Sequence, residues 1–478
     1  AGLGATVLAA AVPAIEAASY EPQLAITRSV QEHHTRRLLP LLAASGITAV
    51  ALAFVLLKIS GSSLVGGLSA LFLLILGFAV CIPISVKHLT RWLAPIAGHV
   101  GGTSARLAVF GIGASLSRTG VAIVALAVAV SATVGVTIMV DSFRGAVSEW
   151  IGNSLQSDVY IGVPYGSLNT ELIQDLGNVA GVADYSARRW AWLETPQGRT
   201  RIIAAQLAAG SYAGTTFLDA DAEQAWEKFD EEDTVFVSEP FAYRHRLGRG
   251  DTLNLLTRSG ERPFYIAATH QSYDAGSGSV MMSRATYIKH WNDQTIDALG
   301  IYLEPGADTD AVMSELERTS SGTQTILVRS NRELRDISLQ VFDRTFVITN
   351  LLYWLAVGVA IIGILGAMLA LQLERARELA VLRALGMTPG QLGGMVTLQT
   401  GLIGLLSGIA AIPLGLFMAW ILIAIINRRS FGWSMDIQIS SAVLLTALAL
   451  SVGAALIGGI YPAYRAARAQ PALAMREE

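Results

Sequence analysis

Charged residues in this chain are spaced so that long apolar intervals separate them, and those intervals are the strongest constraint on its fold. Six runs carry no Asp, Glu, Lys or Arg: Leu38–Leu57, Ile59–Val86, Thr119–Val140, Thr345–Leu373, Ala384–Asn427 and Ile437–Tyr464. A helix needs about 20 apolar residues to cross the ~30 Å hydrocarbon core, and core helices of soluble proteins are shorter. The runs therefore predict six membrane spans. Composition agrees: 52% of the 478 residues are hydrophobic and 15% are charged, against roughly 25% charged in soluble domains. The lone cysteine, Cys81, excludes an intrachain disulfide and leaves the redox compartment open. A shorter apolar stretch, Ala1–Ile15, reads as the end of a preceding helix, because it has neither the initial Met nor the basic start of a signal peptide.

Two segments repeat. Sliding 13–29 (PAIEAASYEPQLAITRS) onto 462–478 (PAYRAARAQPALAMREE) aligns Pro13 with Pro462, Pro22 with Pro471, Leu24 with Leu473 and Ala25 with Ala474. Each copy follows an apolar run. The pattern predicts the end of one half followed by a whole duplicated half, a common plan in transporters.

Sidedness follows from Lys and Arg in the short loops. Residues 16–37, 87–118, 374–383 and 465–478 hold 13 of them, and the opposite short loops hold only Lys58, Arg428 and Arg429. The first side is expected to be cytoplasmic. Residues 142–341 then lie outside. They carry 27 acidic and 17 basic side chains, a net of −10, in a chain whose total is −3. Their 200 residues suffice for an independent core. Strands are expected at 159–162, 199–207, 234–238, 298–303 and 324–329, with a hairpin over 251–269 turning at Ser259–Gly260. Helices are expected at 221–231, 283–291 and 308–318, and a continuous one from Arg332 into the fourth span. The fold class is an α-helical integral membrane protein with an inserted extracytoplasmic α+β domain.

Chemical motifs are lacking. The sequence has no G-x-x-x-x-G-K-[ST], G-x-S-x-G or H-E-x-x-H. His245, His270 and His290 are dispersed, so no metal or cofactor is expected. The acidic run 227–233 reads as a solvated helix face. No basic patch interleaved with aromatics points to nucleic acid. Gly401, Gly404 and Gly408 are candidates for close helix packing. Trp420 and Trp433 are expected as interfacial anchors, and Asn350, Thr397, Gln399 and Thr400 as partners in interhelical hydrogen bonds.

The stretch 371–389 (LQLERARELAVLRALGMTP) carries the most information. Ala376, Leu379 and Leu382 form an apolar stripe beside Glu374, Arg375, Arg377, Glu378 and Arg383, and Gly386 then Pro389 end the helix. Such a helix either takes a push from a soluble partner or lies on lipid. It resembles the cytoplasmic coupling helix of the FtsX-like, MacB-type ABC transporter permeases, whose signature R-x-R-E-x-x-x-L-R-A-L-G is matched by Arg375, Arg377, Glu378, Leu382, Arg383, Ala384, Leu385 and Gly386. The glycine-rich run 401–415 and the closing 462–478 resemble that family's ending, and 117–131, 243–255 and 300–306 its periplasmic core domain. Gln399 stands where many members carry Glu.

The resemblance implies a permease subunit of the bacterial inner membrane without its own ATPase. Its partner is a separate ABC ATPase, two copies per full permease, which binds the ATP and docks on Glu374, Arg375, Arg377, Glu378, Leu382, Arg383 and Gly386. A lipoprotein, peptide or hydrophobic cargo, or an outer partner, is expected on the far side. The implied divisions are 1–37, the tail of a first half and its cytoplasmic link; 38–86, two linking spans; 87–118, a cytoplasmic connector; and 119–141, a span. There follow 142–343, the extracytoplasmic domain; 344–373, a span; 374–394, the coupling helix; 395–427, a span; 428–439, an outer loop; 440–461, a span; and 462–478, a cytoplasmic tail. The chain thus looks like the C-terminal portion of a ten-span permease. Two other classes stay open: a non-transporting scaffold that controls an outer partner such as a cell-wall hydrolase, and a membrane-anchored enzyme.

Overall fold

Lipid offers no hydrogen-bond partners to the backbone, so apolar runs of this length fold as helices. The computed structural model describes residues 29–114, 116–195, 198–231, 233–273, 276, 278–374 and 381–467. The expectations for Ala1–Ile15, for most of both repeat copies and for Arg375, Arg377 and Glu378 lie outside these residues, as do those for the Asn350 and Glu374 side chains. Helix α1 is Ser29–Ile59, α2 is Leu64–Ala114 and α3 is Leu116–Ser154. The second span starts at Leu64 and not at Ile59, because Ser60, Gly61 and Ser62 turn the chain, with Gly61 at φ 53°. The 87–118 connector is largely helical and breaks at Gly102. After that break the chain doubles back, since Ile112 shares a core with Ile82 and Val86, whereas a straight helix would hold Val86 and Ile112 about 39 Å apart.

Helix α3 has 39 residues, about 58 Å, almost twice the hydrocarbon thickness. It runs past 142, the expected start of the inserted domain, as far as Ser154. A nine-stranded sheet stands at its end, in the order β5-β6-β4-β7-β3-β2-β8-β1-β9. In chain order its elements are β1 (Val159–Gly162), α4 (Thr170–Gly177), β2 (Val182–Thr195), β3 (Gly198–Gln206), a 3₁₀ turn (Ala209–Gly214), α5 (Ala222–Phe229), β4 (Thr234–Ser238), α6 (Glu239–His245), β5 (Thr252–Thr257), β6 (Gly260–His270), β7 (Ser279–Ser283), α7 (Arg284–Trp291), β8 (Ala298–Leu303), α8 (Thr309–Ser320) and β9 (Leu327–Ser330). The expected strand at 324–329 is thus shorter and shifted. One face of the sheet packs Val159, Ile161, Leu299 and Ile301 under α4 and α8, and Ile202, Val235, Val237 and Val280 under α6 and α7. Part of the other face packs Phe236 and Ala268 against α5.

Helix α9 (Asn331–Thr345) leaves the sheet, and α10 (Val347–Glu374) continues toward the membrane. The continuous helix expected from Arg332 is broken at Phe346 (φ −91°, ψ 0°). There the backbone N–H of Phe346 turns to the Asp343 and Arg344 carbonyls as the ring packs beside Phe342. Helix α11 is Pro389–Trp420, followed by a π-helical turn Ile421–Asn427, the short α12 (Arg428–Phe431) and α13 (Ser441–Ala467). Among the described residues, five helices are long and apolar enough to span a membrane, over Leu39–Ile59, Leu64–Trp92, Thr119–Ser154, Pro389–Phe431 and Ser441–Arg465. Helix α10 adds 28 residues in which Glu374 is the sole charge.

Helix α11 is the hub of the membrane part. It shares one core with α2, α3 and α13 and a second with α1 and α2. Its contact with α13 depends on small residues. A Cβ on Gly404 would lie 2.7 Å from Ala455 Cβ and 2.8 Å from the Ser451 carbonyl, and one on Gly408 would lie 2.8 Å from Leu448 Cδ1; at Gly401 the nearest atom is 3.5 Å away. Ser451 Oγ donates to the Gly404 carbonyl at 2.7 Å across this seam. Thr397 and Thr400, expected to bond between helices, donate to Gly393 and Val396 one turn back in α11 itself.

Replacing Gly404 with Val should separate α11 from α13 and lower the stability of the detergent-purified chain by about 2 kcal/mol, the usual cost of overpacking. Gly401→Ala, in ordinary contact, should leave the melting temperature within about a degree. Thermal unfolding followed by circular dichroism checks both.

Candidate functional site

Two sites stand at opposite ends of the membrane helices. At the inner end a helical turn over 381–384 closes on Gly386 (φ 103°). The Met387 N–H donates to the Leu382 carbonyl at 3.2 Å and the Gly386 N–H to the Arg383 carbonyl at 3.1 Å. These two bonds make a Schellman stop, which needs a residue that tolerates positive φ. Thr388 and Gln391 then form a reciprocal capping box with Pro389 in the first turn, and α11 starts at once. The result is a tight corner between two helices.

The corner is anchored from within. Leu382 and Met387 pack on Ala108, Leu392 and Met395. Leu382, a candidate for contact with a partner, is half-buried in this packing. Leu385 faces outward at 79% exposure and Val381 at 44%. Arg383 is half-buried, and its Nη1 has no hydrogen-bond partner among the described residues. Deeper in α11, Gln399 is buried with its Nε2 likewise unpartnered. The structure places Leu382 and Gly386 within the corner, Arg383 at its edge and Leu385 on its exposed side.

At the outer end the sequence signals were local and the contact is not. Phe143 of α3 meets Phe342 of α9 (ring centroids 5.1 Å apart), Phe346 (6.1 Å), Tyr273 of the sheet domain (6.3 Å) and Trp433 of the α12–α13 loop (5.9 Å, stacked). Trp433 also stacks on Phe431 at 4.9 Å. It is 3% exposed, so it is a core residue of this joint and not the interfacial anchor expected. Trp420 remains 39% exposed beside Phe54. Arg144 and Asp343 make a bidentate ion pair at 2.8 and 3.0 Å. Glu239 at the start of α6 accepts from the Ser434 N–H and hydroxyl at 3.0 and 2.7 Å. Tyr273 donates to the Ser434 carbonyl at 3.3 Å, and burial, helped by the Glu239 charge, pushes its hydroxyl up to about 12.

The two chain crossings into the sheet are also tied together. Strands β1 and β9 pair antiparallel. Asn331 Nδ2 donates to the Leu155 and Ser157 carbonyls at 2.7 and 2.8 Å. The end of α3 and helix α9 therefore form one two-helix stalk. An apolar groove of about 720 Å³ opens below it between α3, α10 and α13, with Val140, Phe346 and Val443 on its walls and the Arg144–Asp343 pair at its rim. Among the described residues no cluster of His, Cys, Asp and Glu could hold a metal.

Two family models match parts of this chain. Residues 350–471 match the model of the FtsX-like permease C-terminal family, and residues 119–319 that of the MacB-like periplasmic core domain. An uncharacterized ABC transporter permease protein of Mycobacterium tuberculosis is 35% identical over 488 aligned residues, covering all of this chain. The chain spans 57% of that relative's length. The lipoprotein-releasing system transmembrane protein LolC of Xylella fastidiosa is 27% identical over 146 residues, 27% of this chain and 35% of that one. The periplasmic region of MacB from Actinobacillus actinomycetemcomitans aligns with 39% of this chain and 94% of its own at 9% identity and TM-score 0.29.

Phe143→Ala should remove four ring contacts from a half-buried side chain and cost roughly 1–3 kcal/mol of stability, less than truncation of a fully buried aromatic, and a denaturant melt measures it. The joint should also weaken in alkali. Its tyrosine hydroxyl is held protonated above the usual value near 10, so its contribution is complete below pH 10 and is lost as pH rises toward 12. Tyr273→Phe should reduce that alkaline decline, seen as melting temperature against pH, with the remainder left to other tyrosines raised by burial, such as Tyr160 and Tyr287.

Proposed function

The chain belongs to the FtsX-like ABC transporter permeases, with a MacB-like core domain inserted, and from that membership we propose that it is a mechanical transmitter. In this reading a separate ABC ATPase docks on the corner at 374–387, and ATP-driven closure moves that corner. Helix α10 carries the movement to Phe346, and the aromatic joint passes it to the stalk and the sheet domain. The side with 13 basic loop residues is cytoplasmic, the membrane is the inner membrane, and 142–343 lies outside. The cargo is an amphiphile, a lipoprotein or peptide with an apolar part, which enters laterally through the groove between α3, α10 and α13. The name of the Xylella relative and the groove's apolar walls support that class.

The observation that carries the docking reading is the exposure of Leu385, with Val381 partly exposed beside it, on a corner that Leu382 and Met387 anchor from within. A helix resting on lipid has no need for a capped, rigid corner. Co-purification from detergent with candidate ATPase subunits tests it. Wild type should retain the ATPase. Leu385→Asp and the Glu374/Arg377/Arg383 charge reversal should each lose it without a change in melting temperature. An ATPase that stays bound to both variants would contradict the docking site, and a chain that binds none would point to a lipid-resting helix.

A further inference from the structure

The apolar stretch of α3 turns one line of polar side chains toward the groove below the stalk. Thr133, Thr137 and Asp141 recur every four residues, which puts them on one helix face. All three line the groove of about 720 Å³ between α3, α10 and α13. Eight residues of helix make this stripe about 12 Å long. The facing walls are mainly apolar, with Val347, Val443, Ala447 and the rings of Phe342 and Phe346.

Charge in the groove is unbalanced. Its lining holds two carboxylates, Asp141 and Asp343, and one guanidinium, Arg144. Arg144 is already committed, because its Nε and Nη2 donate to Asp343 at 2.8 and 3.0 Å. Asp141, three residues earlier, feels the Arg144 charge but has no hydrogen bond or ion pair among the described residues. Helix α10 adds no countercharge, since Glu374 at its far end is its sole charge. An ionisable side chain on a membrane helix that faces a cavity marks a substrate path. The sign of the unmatched charge then selects the opposite sign in the substrate.

We propose that the groove selects single-chain cationic amphiphiles, with an ammonium or guanidinium head on Asp141 and the chain along Val136, Val443 and Ala447. This rests on the reading of the groove as the cargo's entry and names the charge of that cargo. Phe342 and Phe346 bring aromatic rings to the same end, and aromatic rings attract ammonium groups. A phosphate or carboxylate head would meet two carboxylates whose one guanidinium is taken. The volume falls within the roughly 300–1,000 Å³ usual for small-molecule pockets. Phe346 is also the break between α9 and α10 and a member of the Phe143 joint. An occupant of the groove therefore touches the contact that the proposed transmission uses.

The test uses the full chain in phosphatidylcholine nanodiscs and three dodecyl probes that carry a nitroxide and differ only in the head: ammonium, hydroxyl or carboxylate. Electron paramagnetic resonance reads the immobilised fraction. The ammonium probe should bind saturably, about tenfold tighter than the hydroxyl probe, as one charge-assisted contact provides, and the carboxylate probe should bind weakest. Asp141→Asn should lower ammonium affinity to that of the hydroxyl probe and leave the hydroxyl probe unchanged, which separates a lost charge from a misfolded groove. Asp141→Glu should recover part of the preference. Thr446→Trp, which fills the groove from α13, should block every probe, with melting temperature as the check on folding. An ammonium probe that binds no tighter than the hydroxyl probe, or that ignores Asp141→Asn, overturns the proposal; if Thr446→Trp still blocks binding, the groove remains an apolar entry. No saturable binding of any probe, or binding indifferent to Thr446→Trp, overturns both the proposal and the entry route. ATPase docking is read separately by co-purification and stands or falls on its own.

Discussion

Phe143 is where the membrane helices, the stalk, the sheet domain and the outer loop share one packed contact. Without it the sheet domain would be held mainly by its two chain crossings and by the polar contacts around Ser434. With it, four rings from separate parts of the chain are held in a common apolar environment, and the Arg144–Asp343 pair closes the exposed side. An exposed ion pair alone stabilises by well under about 1 kcal/mol. The rings supply most of the cohesion, and the ion pair and the Glu239–Ser434 bonds supply orientation.

The inner corner works by a different kind of rigidity. Few apolar groups are buried there, and the backbone is fixed by hydrogen bonds: a Schellman stop, a capping box, and no slack between them. A corner of this type moves as a unit when it is pushed. Between the two ends, α11 is wedged against α13 through Gly404 and Gly408 and against α1 and α2 through a second core. At its outer end, Arg429 grips the α1–α2 turn through Ser60 Oγ and the Leu57 and Ser63 carbonyls, at 2.8 to 2.9 Å. Under the proposed transmission, movement of the corner would therefore be passed to these spans as well as along α10.

What the sequence made legible is what short-range chemistry specifies. Charge-free runs marked the spans, Ser259–Gly260 marked its hairpin, and Gly386 with Pro389 marked the inner stop. Strand β2 was missed because its core face carries Ala187 and Ala191 while its outward face carries Trp190 and Trp192, which inverts the alternation that identifies a strand. Strand β7 was missed because its five residues alternate weakly in hydropathy and are almost wholly buried. The break at Phe346 and the burial of Trp433 have no local signal, since both depend on Phe143, some 200 and 290 residues away. The aromatic joint is a product of tertiary packing alone.

The central claim is that movement at the inner corner reaches the sheet domain through the Phe143 joint. It is tested most directly by a distance measured across that joint. Spin labels on Tyr165→Cys in the sheet domain and Ser62→Cys in the α1–α2 turn, both exposed, report it in a Cys81→Ala background with the ATPase bound. Trapping the ATPase with ATP should shift the distance distribution by several ångströms in this background and not when Phe143→Ala is added. An equal shift with and without Phe143 would contradict the account, because the movement would then reach the outer domain by another route.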